Sequence, residues 1–223
     1  MTAQRSIEYM SDTLKKYSIK EVFYTLQGEG LYAGRPAVFC RFSGCNFWTG
    51  LEKDRENAIC NFCDTDFKGI NGKNGGKYDA DSLVDLIDSL WPMGKAQKYV
   101  VCTGGEPLLQ LDKKLIDAFH GLGFEIAVET NGSVLAPEGI DWLTVSPKDA
   151  GHFKQQFGNE LKLVFPQKSL FPEMFDQLPF EHFFLQPMDG PELASNTKAA
   201  LSYCLENPQW KLSLQTHKIL GIE

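Results

Sequence analysis

Hydrophobic and polar residues change rhythm repeatedly along this chain, and each change predicts an element. The run Ala37-Val38-Phe39-Cys40-Arg41-Phe42 predicts a strand, with Val38, Cys40 and Phe42 on one face and Phe39 and Arg41 on the other. Leu83, Leu86, Ile87 and Leu90 recur at helical spacing, behind Asp79 and Asp81 as candidate caps. Residues 98–102 read as a buried strand. A second amphipathic helix within 108–120 carries Leu111, Leu115, Ile116 and Phe119, and Gly121 or Gly123 ends it. Strands follow at 125–129, 142–145, 160–165 and 182–185. A helix-like stretch covers 168–178, a helix lies around 192–204, and 210–214 is a last apolar segment. Before the first strong strand, residues 21–26 alternate briefly and 6–17 carry a weak helical pattern. The glycine-rich stretch 69–76 reads as a mobile surface linker, because no Gly-Lys-Ser/Thr follows to make it a phosphate loop.

Strand and helix patterns in alternation predict an α/β protein with a parallel sheet and helices outside it. Polar or glycine-bearing triplets follow the strands: Thr103-Gly104-Gly105, Thr130-Asn131-Gly132, Ser146-Pro147-Lys148 and Gln186-Pro187-Met188. In barrel-like folds that rim holds the active site. A closed eight-stranded barrel normally takes about 250 residues. With 223 residues and several short connections, an open, partial TIM-like barrel with parallel core strands is expected. Its expected layout is a single domain over 1–223, with an N-terminal extension at 1–36 and an insertion at 46–59.

Composition narrows the chemistry. Acidic residues outnumber basic ones 29 to 22, a net charge of −7, which argues against binding a nucleic-acid backbone. The six cysteines need not form disulfides, since a hydrophobic fraction of 43% supplies a core without staples. The N-terminus has no apolar signal core and no stretch approaches the length of a membrane span. The expected compartment is the cytoplasm, where reduced thiols are free to act as ligands.

Cys45, Cys60 and Cys63 form C-x14-C-x2-C, and several readings compete for them. They are inert core cysteines, a redox dithiol at Cys60 and Cys63, a structural zinc site with Asp64 or Asp66 as fourth ligand, or three ligands of an iron–sulfur cluster with one iron open. Cys40, Cys102 and Cys204 read as core residues. Arg41 is a charge inside an apolar strand, either paired with a surface carboxylate or held for a ligand. Gln27-Gly28-Glu29-Gly30 is a tight turn or a loop brought close to a ligand. Gly104, Gly105 and Glu106 offer carbonyls and a carboxylate that suit an ammonium group. Glu129 and Asn131, then Ser146 and Lys148, add groups suited to a ribose or a carboxylate.

Taken together, these motifs resemble the radical S-adenosylmethionine (SAM) superfamily, with a cysteine cluster after one strand and Gly104-Gly105-Glu106-Pro107 after the next. The first cysteine gap of 14 residues departs from the usual CxxxCxxC. With Gln27–Gly30, Arg41–Asn46, Cys60–Thr65, Glu129–Gly132, Ser146–Lys148, Gln186–Asp189 and Gln215–Lys218, the chain is similar to the 7-carboxy-7-deazaguanine synthases over nearly its whole length, and its long cluster loop resembles their enterobacterial form. The resemblance implies a [4Fe–4S] cluster on Cys45, Cys60 and Cys63, and SAM bound by Gly104, Gly105, Glu106, Glu129, Asn131, Ser146 and Lys148. It implies 6-carboxy-5,6,7,8-tetrahydropterin held by Leu26, Gln27, Gly28, Glu29, Gly30, Arg41, Gln215 and His217, and Mg²⁺ at Thr65. The implied reaction forms 7-carboxy-7-deazaguanine and ammonia in the queuosine pathway of tRNA modification. Flavodoxin is the implied reductant and a homodimer the implied assembly, without direct contact to nucleic acid or membrane.

Overall fold

The computed structural model describes residues 15–223. Among these residues nine strands form one sheet, in the order β3-β1-β2-β4-β5-β6-β7-β8-β9. They are β1 (Tyr17–Leu26), β2 (Pro36–Phe42), β3 (Gly76–Tyr78), β4 (Tyr99–Gly104), β5 (Glu125–Thr130), β6 (Trp142–Val145), β7 (Gly158–Phe165), β8 (Phe180–Pro187) and β9 (Trp210–Leu212). From β2 through β4 to β9 every neighbour is parallel. Strands β1 and β3 add an antiparallel edge. The sheet ends at β3 and β9 without closing, as expected of a partial barrel.

Alternation along the strands sorts the core into two layers. Val38, Cys40, Phe42, Val100 and Cys102 pack under the helices, against Leu83, Ile87, Leu115, Ile116 and Phe119. Ala37, Tyr99, Val101, Ala127 and Trp142 form a second cluster on the other face, joined by Tyr32 and Phe39. Arg35 lies over the Tyr99 ring at 3.7 Å and pairs with Glu125, so aromatic rings and one ion pair plug the inner layer below the strand ends.

Helix α1 (Ala80–Leu90) is capped by the Asp79 carboxylate on Ser82 N–H at 2.9 Å, and α2 (Lys113–Gly121) by Asp112 on Leu115 N–H at 3.1 Å. Gly123, at φ 76°, takes the left-handed position that ends α2, and Phe124 N–H returns to Phe119 C=O at 3.1 Å. The expected helix at 108–120 therefore divides into a 3₁₀ turn, Pro107–Leu109, and α2. Helices α3 (Leu193–Glu206) and α4 (Thr216–Leu220) complete the chain. Among the described residues no helix is long and apolar enough to cross a membrane.

Three expectations change. The stretch 168–178 forms one 3₁₀ turn, Pro172–Met174, and no α-helix. Pro166 and Pro172 lack amide donors and leave too few residues between them for helical turns, so Leu170 and Phe175 reach the core from irregular chain. The glycine-rich stretch 69–76 is docked against β1: Val22 N–H bonds Lys73 C=O at 2.8 Å, Gly72 N–H bonds Lys20 C=O at 3.0 Å, and Gly76 enters β3. Tyr17 opens β1 and is not helical, while residues 6–14 of the weak helical pattern lie outside the described residues.

Candidate active site

The C-terminal ends of the parallel strands surround a cleft of about 320 Å³, within the size range of small-molecule sites. Thr103, Gly104 and Gly105 reach it after β4, Glu129 and Asn131 after β5, and Ser146 and Lys148 after β6. Leu26, Gln27, Gly28 and Glu29 come from the loop beyond β1, and Arg41 from β2. Cys45, Cys60, Cys63 and Thr65 line the same cleft, as do Gln215 and His217 from beyond β9. Most residues expected at the site from sequence thus meet around one space. Glu106 and Gly30 are the exceptions.

At the cysteine end, Cys45 Sγ accepts Phe47 N–H at 3.4 Å, and Asn131 Nδ2 lies 3.9 Å from the same sulfur. Cys60 donates to Cys63, which pulls the Cys63 thiol down to about 6 with help from the Thr65 backbone and Lys148; the same bond drives Cys60 up. Lys148 Nζ bonds Ser146 Oγ at 2.5 Å and lies 5.9 Å over the Phe62 ring. The insertion is clamped to this loop. Arg55 stacks on Trp48 at 4.0 Å and donates Nη1 to the carbonyls of Asn61 (3.1 Å) and Cys63 (2.9 Å), and Phe47 and Trp48 are buried.

Three thiols facing one open space suit a polynuclear cluster with an exchangeable position. The two carboxylates that a zinc site would draw on are engaged elsewhere: Asp64 accepts Gln215 (3.0 Å) and Lys218 (2.6 Å), and Asp66 pairs with Lys20 at 2.8 Å. The residues present fit an iron–sulfur cluster.

The other end of the cleft is a network of carboxylates, amides and one lysine. Glu29 accepts Lys162 Nζ at 2.5 Å and Gln215 Nε2 at 3.1 Å. Gln27 Nε2 donates to Glu129 at 3.0 Å, so Glu129 joins this network. Burial opposes the Glu29 charge, but Lys162 and its hydrogen bond dominate and hold the carboxyl below its ordinary value. Gly28 makes room for His217, since a Cβ there would lie 2.2 Å from the imidazole Nδ1. Gly30 was expected at the substrate; it sits behind the wall, at φ 65°, where a Cβ would come within 2.2 Å of the Glu160 carboxylate. Its glycine is required by that contact.

Glu106 also differs from expectation. It is fully buried, and its carboxylate accepts Leu108 N–H (3.0 Å), Thr130 Oγ1–H (2.8 Å) and Asn131 N–H (2.7 Å). Burial pushes its pKa up while those donors pull it back. The side chain therefore ties the β4 loop to the β5 loop and does not line the cleft, where its motif predicts an ammonium receptor. Gly105 has a similar cause: a Cβ would stand 1.9 Å from Gly44 C=O, beside Cys45. Glu106→Gln places an amide NH₂ against one of these backbone donors. Thermal unfolding is expected to show a loss of about 2 kcal/mol, or a Tm lower by about 5 °C. An unchanged Tm with weakened SAM binding would restore the receptor role.

Lys162 is the site residue that sequence reasoning missed. Its signal was the pair Glu160 and Lys162, spaced by two on one face of an otherwise apolar strand.

Comparison with known proteins adds an independent line. Residues 55–161 match the radical SAM superfamily model. The chain is 60% identical over 207 residues to the 7-carboxy-7-deazaguanine synthase of Bordetella pertussis, covering 92% of this chain and 99% of that protein. It is 58% identical, over the same shares, to that of Burkholderia multivorans. The crystal structure of QueE from Escherichia coli aligns with a TM-score of 0.67 at 25% identity, covering 93% of this chain and 98% of that one. Identity to the Bordetella and Burkholderia proteins thus lies well above that to the Escherichia coli one.

Proposed function

Because the chain belongs to the 7-carboxy-7-deazaguanine synthase family of radical SAM enzymes, we propose that it converts 6-carboxy-5,6,7,8-tetrahydropterin to 7-carboxy-7-deazaguanine with loss of ammonia, in queuosine biosynthesis. The observation that carries this reading is the two-ended cleft: three thiols at one end, and at the other paired carboxylates and amides with a guanidinium nearby.

Cys45, Cys60 and Cys63 hold the [4Fe–4S] cluster, which with SAM supplies a carbon radical able to take hydrogen from the pterin. The carbonyls of Gly104 and Gly105 receive the SAM ammonium, while Asn131, Ser146 and Lys148 line its ribose and carboxylate. Arg41 binds the pterin carboxylate. Gln27, Glu29 and Glu129 offer acceptors to the amino and ring N–H groups, with Leu26 and Gly28 against the ring and Gln215 and His217 closing that side. Thr65 gives Mg²⁺ a hard oxygen ligand, a donor type suited to that ion. Holding both molecules in one dry space limits stray hydrogen donors. Flavodoxin as reductant, a homodimer and the cytoplasm complete the proposal.

The test is anaerobic cluster reconstitution followed by reduction with SAM, Mg²⁺ and the pterin. Formation of 7-carboxy-7-deazaguanine is expected. Iron-loaded, folded protein that cleaves SAM but leaves the pterin unchanged would overturn the substrate.

A further inference from the structure

Strand β7 places two charged side chains where neither touches bulk water: Glu160 is 2% and Lys162 4% exposed. A buried ammonium is costly unless several acceptors meet it. Here they come from three elements. Lys162 Nζ lies 2.5 Å from Glu29 Oε2 on the loop beyond β1 and 3.6 Å from Glu129 Oε1 on β5. Glu160, two residues back on the same face of β7, adds a third negative charge. Its carboxylate accepts Leu31 N–H at 3.0 Å and fills the space left by Gly30. Glu29, Glu129 and Lys162 line the main cleft, whereas Glu160 borders a small second cavity below it with Tyr32, Tyr99 and Trp142.

This arrangement gives each group a separate task. Glu29 turns one oxygen to Lys162 and the other to Gln215, so its orientation is fixed from both sides. Glu129 is held between Gln27 and Lys162. Without the ammonium, three carboxylates would face one another in a space with little water, and protonation would become favourable for at least one of them. We propose that Lys162 is a positioning residue for the pterin. It holds Glu29 and Glu129 as oriented anions that receive the amino and ring N–H groups, and Glu160 sets how much of its charge they share. This inference rests on the pterin reading above.

Other charged or titratable groups facing the cluster are His217 beside Glu29, Tyr99 beside Glu129, and His182, paired with Glu160 in the β7–β8 register. None replaces the contact that Lys162 makes with both carboxylates. The expected signs are therefore opposite for two substitutions. Removing Lys162 raises the Glu29 carboxyl pKa and moves the acid limb of pterin binding to higher pH. Neutralising Glu160 leaves more of the lysine charge for Glu29 and Glu129 and moves that limb to lower pH.

The experiment is anaerobic calorimetry of pterin binding to reconstituted, SAM-loaded protein across the acid limb, with iron content and Tm measured on each variant. Lys162→Met is expected to weaken the Kd by about 30-fold, the scale of a charged hydrogen bond, and to shift the limb upward at unchanged iron content. Lys162→Arg should recover most of the affinity. Glu160→Gln, which can still accept Leu31 N–H, should keep the affinity and shift the limb downward. Wild-type affinity and limb in Lys162→Met would overturn the assignment. If that variant does not fold, Glu160→Gln decides: an unmoved or upward limb overturns it. Wild-type protein that failed to bind the pterin would instead overturn the functional reading, and this assignment with it.

Discussion

Cys45→Ala is expected to leave a folded chain without its iron and without turnover. The thiol makes weak contacts: with Phe47 N–H at 3.4 Å, the Asn131 amide at 3.9 Å and Asn46 Oδ1 at 4.0 Å. Its removal should change stability by about 1 kcal/mol or less, as for sites outside the core. The chemical loss is far larger. Cys60 and Cys63 are three residues apart on one loop, and Cys45 is the proposed ligand that comes from beyond the end of β2. Without it the cluster loses its attachment to the sheet and its register against Gly104 and Gly105. Iron and sulfide analysis, visible absorption and product formation should all fall to background while Tm holds. Undiminished product would remove the cluster assignment.

Arg41→Ala is expected to act on the substrate and to spare the cluster. Arg41 lies opposite Glu21 in the β1–β2 register, and Glu21 engages only its Nε, at 2.8 Å. The two Nη groups are left for a second carboxylate, the geometry in which arginine binds most strongly. Loss of such a pair should lower kcat/KM by about 100-fold, about 3 kcal/mol. Glu21 is 26% exposed, so losing its partner does not strand a charge in the core. Iron content should match wild type. An unchanged kcat/KM would show that the substrate carboxylate binds elsewhere.

Of the two possibilities that the sequence left open for Arg41, the structure shows the pairing, with a carboxylate of β1, and Arg41 also lines the cleft where a ligand would meet it. Much of the remaining site was legible for a simple reason. In a parallel sheet the strand ends share one rim, so polar triplets after strands converge wherever the exact boundaries fall. The misreadings share a different cause. Glu106 and Gly30 lie in motifs that point to ligands, yet what they touch is other protein, Thr130 and Asn131 in one case and Glu160 in the other. Contacts across roughly 25 to 130 residues leave no local pattern. The stretch 69–76 looked mobile because its glycines were read for freedom, when they serve close approach to β1. At 168–178 apolar spacing outweighed two prolines in the reading, and the prolines prevailed in the fold.

The clamp that Arg55 makes has a mechanical consequence. One side chain, stacked on Trp48, grips two carbonyls of the segment that carries Cys60 and Cys63. The outer turn and the ligand-bearing loop therefore move as one lever. Anything that grasps Glu52–Asn57 from outside would tug on Cys60 and Cys63, and trimming that turn would free them.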